Sequence, residues 1–369
     1  MTSDEGNPEP EARSARAVLI TRNFGLRAWD LFRNSSFGLL VLSGFLIVSR
    51  PPPVHHHSMT ALLADPHCKE HDTGVGHPET PRRFDAAMEG LKNAGVLEKL
   101  LRLEPMKPGR EDFVLVHTPE YLALAEGEIQ GGEEQLSTGD TVVCADSWDA
   151  ATRAAGCALA AVDAVMAGKV TNAFCVVRPP GHHATPSRGM GFCVLNNIAL
   201  AARHAQRRHG IERVLIVDWD VHHGNGTQDV FYEDGSVFFF STHQSPWYPG
   251  TGAASETGRG AGKGTTLNCP LPAGTGRTEI FAAFEKKLVP AMESFRPQFV
   301  LISAGFDSRV GDPLGQFHLS DEDFADLTKL VMGIAAKEAK GRVVSVLEGG
   351  YNLAGLASAV GAHVGAMIG

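Results

Sequence analysis

A chain of 369 residues, 43% hydrophobic and 20% charged, carries the material for a large buried core, which excludes a disordered, collagen-like or multi-span membrane protein. Lys and Arg number 33 against 42 Asp and Glu; the formal charge of −9 repels a phosphate backbone, argues against direct nucleic-acid binding and favours basic protein segments instead. The six cysteines are widely spread with no C-x-x-C pair, so they form neither a zinc-ribbon nor a disulfide pattern, and a reducing compartment, the cytoplasm, is expected.

Residues 1–58 read as an extension distinct from a domain over 59–369. They open with Asp4, Glu5, Glu9 and Glu11, continue through five arginines, and reach the apolar stretch Phe37–Val48. Twelve residues are too few to span a bilayer as a helix and suit a signal-peptide h-region or an interfacial helix. A membrane contact is expected only if this stretch is an anchor, and no A-x-A-like cleavage site follows it. The competing reading is that the protein begins at Met59, with the upstream residues spurious or dispensable, because strand-like Thr60–Ala64 opens the globular pattern directly.

Beyond Met59, apolar strand runs (Ala173–Val177, Arg213–Val217, Val237–Phe240, Phe299–Ser303 and Val343–Leu347) alternate with helical patterns. The helices are predicted over Pro81–Lys92, Trp148–Ala167, Leu195–His209, Glu279–Glu293, Asp321–Ala339 and Leu353–Val364. Buried strands between amphipathic helices predict an α/β fold, a single domain with a mainly parallel central sheet flanked by helices on both faces. Residues 245–276 hold twelve Gly or Pro and are predicted to form no long regular element. No glycine-rich nucleotide fingerprint follows a strand. Ligands in such a sheet collect at the carboxyl ends of the strands.

The polar clusters fall at those ends. After one strand, the rigid turn Arg178-Pro-Pro-Gly presents adjacent His182 and His183, able to serve the two proton movements of amide hydrolysis. Another strand ends in Asp218, Asp220, His222, His223 and Asn225. An extended chain points alternate residues to one side, and Asp-x-His is a metal-ligand spacing. Asp307 supplies a third ligand; Asp312, further into the Gly-Asp-Pro turn, is assigned to holding that loop. Two carboxylates and one imidazole leave positions open for water and substrate, and the mixed oxygen and nitrogen set suits Zn²⁺, with Fe²⁺ an alternative. Asp218 and Asn225 remain to orient the imidazoles. The last strand runs into Glu348-Gly349-Gly350-Tyr351. The Tyr351 hydroxyl can face an oxyanion opposite the metal, although in isolation Tyr351 reads equally as a packed aromatic.

From about Met59 onward these motifs, in this order, resemble the zinc-dependent histone deacetylase family of the arginase/deacetylase fold. The wording Asp218-Trp-Asp-Val-His-His-Gly-Asn225-Gly is similar to the class II and bacterial members; class I enzymes place Asp where Asn225 stands, which implies a lower proton affinity for the second histidine. The resemblance implies Asp220, His222 and Asp307 as ligands of one Zn²⁺, His182 and His183 as base and acid with His183 the proton carrier, and Tyr351 as oxyanion donor. It further implies K⁺ at Asp218, Asp220, His222, Ser241 and Thr242, with a second site starting at Phe231. It implies a lysine tunnel walled by Gly191, Phe192, Tyr248, Leu314 and Gly349, with Tyr248 where Phe is usual, and Arg83 at the route of acetate release, where holding a loop carboxylate is the alternative. Polyamine-selective relatives place Glu at the position of Leu314. Removal of acetyl or another short acyl group from lysine in a protein or peptide is therefore expected over acetylpolyamine deacetylation, with a catalytically silent acyl-lysine binding module as a third reading.

Overall fold

The computed structural model describes residues 59–369 and, of the preceding segment, only the backbone of Leu39–Leu42 and Phe45–Val48. Met1–His56 and His57–Gly369 are separate units. In the first, β1 (Leu39–Leu42) pairs antiparallel with β2 (Phe45–Val48), from Leu39 opposite Val48 to Leu42 opposite Phe45. The apolar stretch is therefore two short strands rather than the helix expected of it. Among the described residues no helix is long and apolar enough to cross a membrane.

The second unit begins with β3 (Thr60–Leu63), α1 (Arg82–Asn93), β4 (Leu101–Leu103), α2 (Arg110–Phe113), α3 (Pro119–Gly131), α4 (Ser147–Met166) and β5 (Asn172–Cys175). It continues through α5 (Asn197–His209), β6 (Val214–Asp218), α6 (Asn225–Phe231), β7 (Val237–Gln244), β8 (Thr266–Leu271), α7 (Arg277–Ala283) and α8 (Val289–Phe295). It closes with β9 (Phe299–Ala304), α9 (Asp321–Glu338), β10 (Val343–Leu347) and α10 (Leu353–Ile368). Eight strands form one parallel sheet in the order β4-β3-β5-β10-β9-β6-β7-β8. The inner strands β3, β5, β6, β7, β9 and β10 are buried along their whole length, as a sheet covered on both faces requires. Helix α10 packs between α1 and α9, while α4 and α5 pack together.

Helix ends follow local chemistry. Asn196 accepts the Ala199 N–H to open α5, which stops at left-handed Gly210; Ser320 and Asp323 form a capping box on α9. The helix expected over Glu279–Glu293 is interrupted: Phe284–Leu288 forms a π-helical turn between α7 and α8. Pro290, one residue into α8, lacks the N–H that a regular α-helix would direct to the carbonyl four residues back, so the widened turn falls where that bond is missing.

Candidate active site

Four parallel strands, β5, β10, β9 and β6, are neighbours, so the segments leaving their carboxyl ends meet. Beyond β6, the N–H groups of Asp220 and His222 turn back onto the carboxylates of Asp218 (3.1 Å) and Asp220 (2.9 Å). From beyond β9, Asp307 accepts the Val221 N–H at 2.9 Å. From beyond β10, the Gly349 N–H donates to Asp220 Oδ2 at 2.8 Å. Each carboxylate is thus aimed by backbone donors rather than by its own rotamer alone.

The arrangement fits a divalent cation on three observations. One donor atom from each of Asp220, His222 and Asp307 lies within 4.8 Å of the others, and all three residues are buried. Asp307 Oδ2 makes no hydrogen bond although His222 Nδ1 is 3.2 Å away, because the ring N–H is directed to Asp220 Oδ1 at 3.0 Å. A side chain at Gly349 would run into the Oδ2 atoms of both aspartates, so the glycine keeps the space open. Burial alone would neutralise this histidine, yet the neighbouring carboxylates of Asp220 and Asp307 hold His222 up at about 10; burial and the neighbouring Asp220 charge push Asp307 up to about 7. Burial opposes ionisation of Asp220 as well, but His182 and His222 keep its carboxyl well below the usual range. A cation at its centre would offset the cost of burying these two carboxylates side by side.

Beside it, the His182 and His183 rings lie 4.0 Å apart. His182 donates from Nδ1 to Asp218 Oδ2 at 2.9 Å, whereas His183 donates from Nδ1 to Asn225 Oδ1 at 2.8 Å. Both are buried, which disfavours their charged forms; for His182 the charges of Asp218 and Asp220 overcome this and raise it to about 10. His183, with a neutral partner, is held well below its ordinary value by burial and by the cationic tendency of His182 and His222. Two adjacent imidazoles are driven in opposite directions by their partners.

Tyr351 follows β10 and faces Phe192 at 5.9 Å between ring centroids. Its hydroxyl is held well above the usual tyrosine range by burial, with Asp307 and Asp220 opposing ionisation and Arg83 opposing them. It therefore remains a donor. Fully buried Arg83 lies 4.9 Å over the Tyr351 ring and donates to Glu79 Oε1 (2.9 Å), Gly350 O (2.7 Å) and Glu348 O (2.5 Å). Holding a loop carboxylate and contacting the turn after β10 thus coincide in one side chain.

A cavity of about 230 Å³ leads to this floor, with His183, His222 and Tyr351 in its lining and Gly191, Phe192, Trp247, Tyr248, Leu314 and Asp140 around it. Gly191 and Phe192 both adopt positive φ (58° and 67°), and a side chain at Gly191 would collide with the His183 ring. Leu314 is half-buried; its carbonyl accepts the Trp247 indole N–H at 2.8 Å and its N–H donates to Asp312 at 2.9 Å. Asp312 also accepts the N–H groups of Tyr351 (2.7 Å) and Asn352 (3.0 Å), so it holds two loops. A larger concavity of about 920 Å³ beside β4 gathers no comparable set of imidazoles and carboxylates.

Asp218, the last residue of β6, pairs in register with Ser241, which places the buried residues Asp218, Ser241 and Thr242 beside one another on adjacent strands; Phe231, expected at a second potassium position, ends α6 with Arg203 4.6 Å over its ring. Three participants escaped the sequence reading. Asp140 accepts the Gly191 N–H (2.7 Å) and the Tyr248 hydroxyl (3.2 Å) across the cavity mouth, but its Thr-Gly-Asp context looks like any polar turn. Glu348 accepts the N–H groups of Gly181 (2.7 Å) and His182 (3.1 Å), locking the imidazole turn to β10. Glu79 joins Arg83 to Arg178. For Glu348, a carboxylate directly before Gly-Gly at the end of a buried strand was the available signal.

Fold and site together define an α/β protein with a buried Asp-His-Asp cluster able to hold a cation, paired imidazoles and a tyrosine at the base of a narrow cavity. Residues 77–367 match the histone deacetylase domain, and the chain belongs to the histone deacetylase family, whose members include deacetylases and amidohydrolases. It is 40% identical over 299 residues to a probable deacetylase of Archaeoglobus fulgidus, covering 80% of this chain and 82% of that protein. It is 40% identical to a histone deacetylase-like amidohydrolase of Pseudomonas aeruginosa, covering 75% and 73%. Against the polyamine deacetylase HDAC10 of Mus musculus it is 42% identical over 86% of its own length and 48% of that protein. The crystal structure of the HDA15 HD domain superposes with a TM-score of 0.80 at 36% identity, over 84% of this chain and 90% of that one.

Proposed function

We propose that residues 59–369 form a zinc-dependent amidohydrolase that removes acetyl or another short acyl group from the side chain of lysine in a protein or peptide. The observation that carries this reading is the narrow cavity ending on His183, His222 and Tyr351, with apolar Phe192 and Leu314 on its walls. A tetramethylene stem suits such walls, and the acyl carbonyl then meets the floor.

Asp220, His222 and Asp307 would hold the ion, which when bound polarises the amide carbonyl and makes water a stronger nucleophile. The Tyr351 hydroxyl, kept protonated, donates to the carbonyl oxygen as negative charge develops there. His183, unprotonated beside a neutral amide, accepts a proton from the attacking water and delivers it to the departing lysine amine, while His182, fixed by Asp218, keeps its charge close by. K⁺ at Asp218, Asp220, His222, Ser241 and Thr242 belongs to the same proposal, as does a cytoplasmic location, which suits the six free cysteines.

The test is amine release from an acetyl-lysine peptide, inhibited by hydroxamates. Losing the Tyr351 donor is expected to cost about 2.7–4 kcal/mol, a fall of about 10²–10³ in kcat for Tyr351→Phe, and Asp307→Ala is expected to abolish turnover. Undiminished turnover in both variants overturns the assignment. Acetylpolyamine deacetylation is the second reading, favoured by the relative named for it and by the Asp140 carboxylate at the mouth, which attracts a second ammonium as readily as it accepts a peptide N–H. Comparing kcat/KM for acetylputrescine and an acetyl-lysine peptide separates the two.

A further inference from the structure

Where α4 and α5 lead into the amino ends of β5 and β6, at the opposite strand ends from the tunnel, another trio of side chains converges with metal-ligand chemistry. Asp163 lies in the last turn of α4; His204 and His209 lie on α5, His209 as its final residue. One carboxylate oxygen, Asp163 Oδ1, is 2.8 Å from His204 Nε2 and 2.6 Å from His209 Nε2, and the three donor atoms lie within 4.8 Å of one another. The exposure is graded: the His204 side chain is 2% exposed, His209 24% and Asp163 45%. One ligand is therefore fixed by packing, and the open side faces solvent that can complete a coordination shell. Both helices end here, and the partial negative charge of their terminal carbonyls favours a cation. Of the arginines on the last turns of α5, Arg203 is neutralised by Asp234 at 2.5 Å, while Arg207 and Arg208 are exposed.

We propose that Asp163, His204 and His209 form a second metal site, selective for Zn²⁺ and similar borderline ions over Mg²⁺ and Ca²⁺, that clips the end of α5 to α4. Two imidazole nitrogens and one carboxylate oxygen are a donor set for Zn²⁺, Co²⁺ or Ni²⁺, whereas the hard cations demand mostly oxygen. The site's strength is bounded by His204. Ligation through Nε2 leaves its proton on Nδ1, a buried atom with no hydrogen-bond partner. Without that supporting acceptor, affinity falls about 10–100-fold below that of a site with a complete outer shell. The site therefore fills after the Asp220–His222–Asp307 cradle and responds to free zinc.

The experiment titrates Zn²⁺ calorimetrically into the full chain, into His209→Ala and into Asp163→Asn; neither residue belongs to the tunnel. The expected result is one fewer equivalent in each variant, with acetyl-lysine turnover unchanged and the zinc-dependent rise in Tm reduced. The His55–His57 tract is common to all three proteins, so any zinc it takes cancels in the difference. Should a variant misfold, crystals of the unsubstituted chain soaked in Zn²⁺ decide, by an anomalous peak within coordination distance of His209 Nε2. Equal uptake by folded variants, no such peak, or an equivalent uptake of Mg²⁺ overturns the proposal. Because equivalents are counted as a difference, this outcome is independent of whether the cradle binds zinc or the chain hydrolyses amides.

Discussion

Tyr248 links two walls of the tunnel through a single oxygen. Its hydroxyl donates to Asp140 Oδ1 at 3.2 Å, and the same oxygen takes the Gly191 N–H at 2.7 Å, so the strap after β7 is fastened to the segment that presents Phe192. Burial and Asp140 both push the Tyr248 hydroxyl up, which keeps it a donor. Tyr248→Phe leaves the ring in place and releases this clasp. A hydrogen bond of this kind contributes about 1 kcal/mol, so KM for an acetyl-lysine peptide is expected to rise roughly fivefold with kcat nearly unchanged, because the hydroxyl stands at the mouth and not at the reacting carbonyl. Steady-state kinetics on both proteins checks this; a fall in kcat at constant KM would move Tyr248 into the chemical step. At this scale the sequence was informative wherever imidazoles and carboxylates were crowded at a strand end. It was silent on Asp140, whose partners are 51 and 108 residues away.

The turn leaving β10 concentrates more of the site than any other connection. Within four residues, Glu348 anchors the imidazole turn, Gly349 donates to Asp220, Gly350 accepts from Arg83 and Tyr351 supplies the hydroxyl. Gly349→Ala inserts a methyl group against the Oδ2 atoms of Asp220 and Asp307, which must separate. Zinc affinity is expected to fall at least tenfold, with activity partly restored by excess zinc, as measured by chelator competition and turnover; an unaffected zinc affinity would mean that the cradle tolerates the displacement. The elements that carry the site were legible because inner parallel strands read as unbroken apolar runs. The two sheet strands that were not legible, β4 and β8, are the two edges. An edge strand has one neighbour and need not be apolar throughout: β4 is only Leu-Arg-Leu, and β8 contains Pro270 in the glycine- and proline-rich stretch.

For the molecule as a whole, Glu79 is the point where the loop before α1 is fastened to the sheet. Its carboxylate, fully buried, takes Arg83 Nη1 at 2.9 Å and Arg178 Nε and Nη2 both at 2.6 Å, and these arginines reach onward to the β10 turn and to the carbonyls of Cys68 and His71. This junction was invisible in sequence, since Glu79 and Arg178 are 99 residues apart and nothing local marks a carboxylate as buried. Burial opposes its ionisation, but the two guanidinium groups prevail and hold Glu79 at about 2, against an ordinary value of 4.5. A carboxyl depressed on folding contributes stability that is fully present above its unfolded value and is lost as pH falls through its folded one, here between about 4.5 and about 2. The shift corresponds to about 3 kcal/mol. Glu79→Gln leaves two buried guanidinium groups without a counter-charge, at a cost of about 3–5 kcal/mol at neutral pH and a Tm lower by on the order of 10 °C. The gap between the two proteins should then narrow steadily below pH 4.5, because acid removes from the natural chain the charge that the variant never had. Calorimetric scans from pH 7 to pH 2.5 measure that gap directly. A constant difference across the range would mean that the Glu79 proton takes no part in acid unfolding and that the junction stabilises the fold through its hydrogen bonds alone.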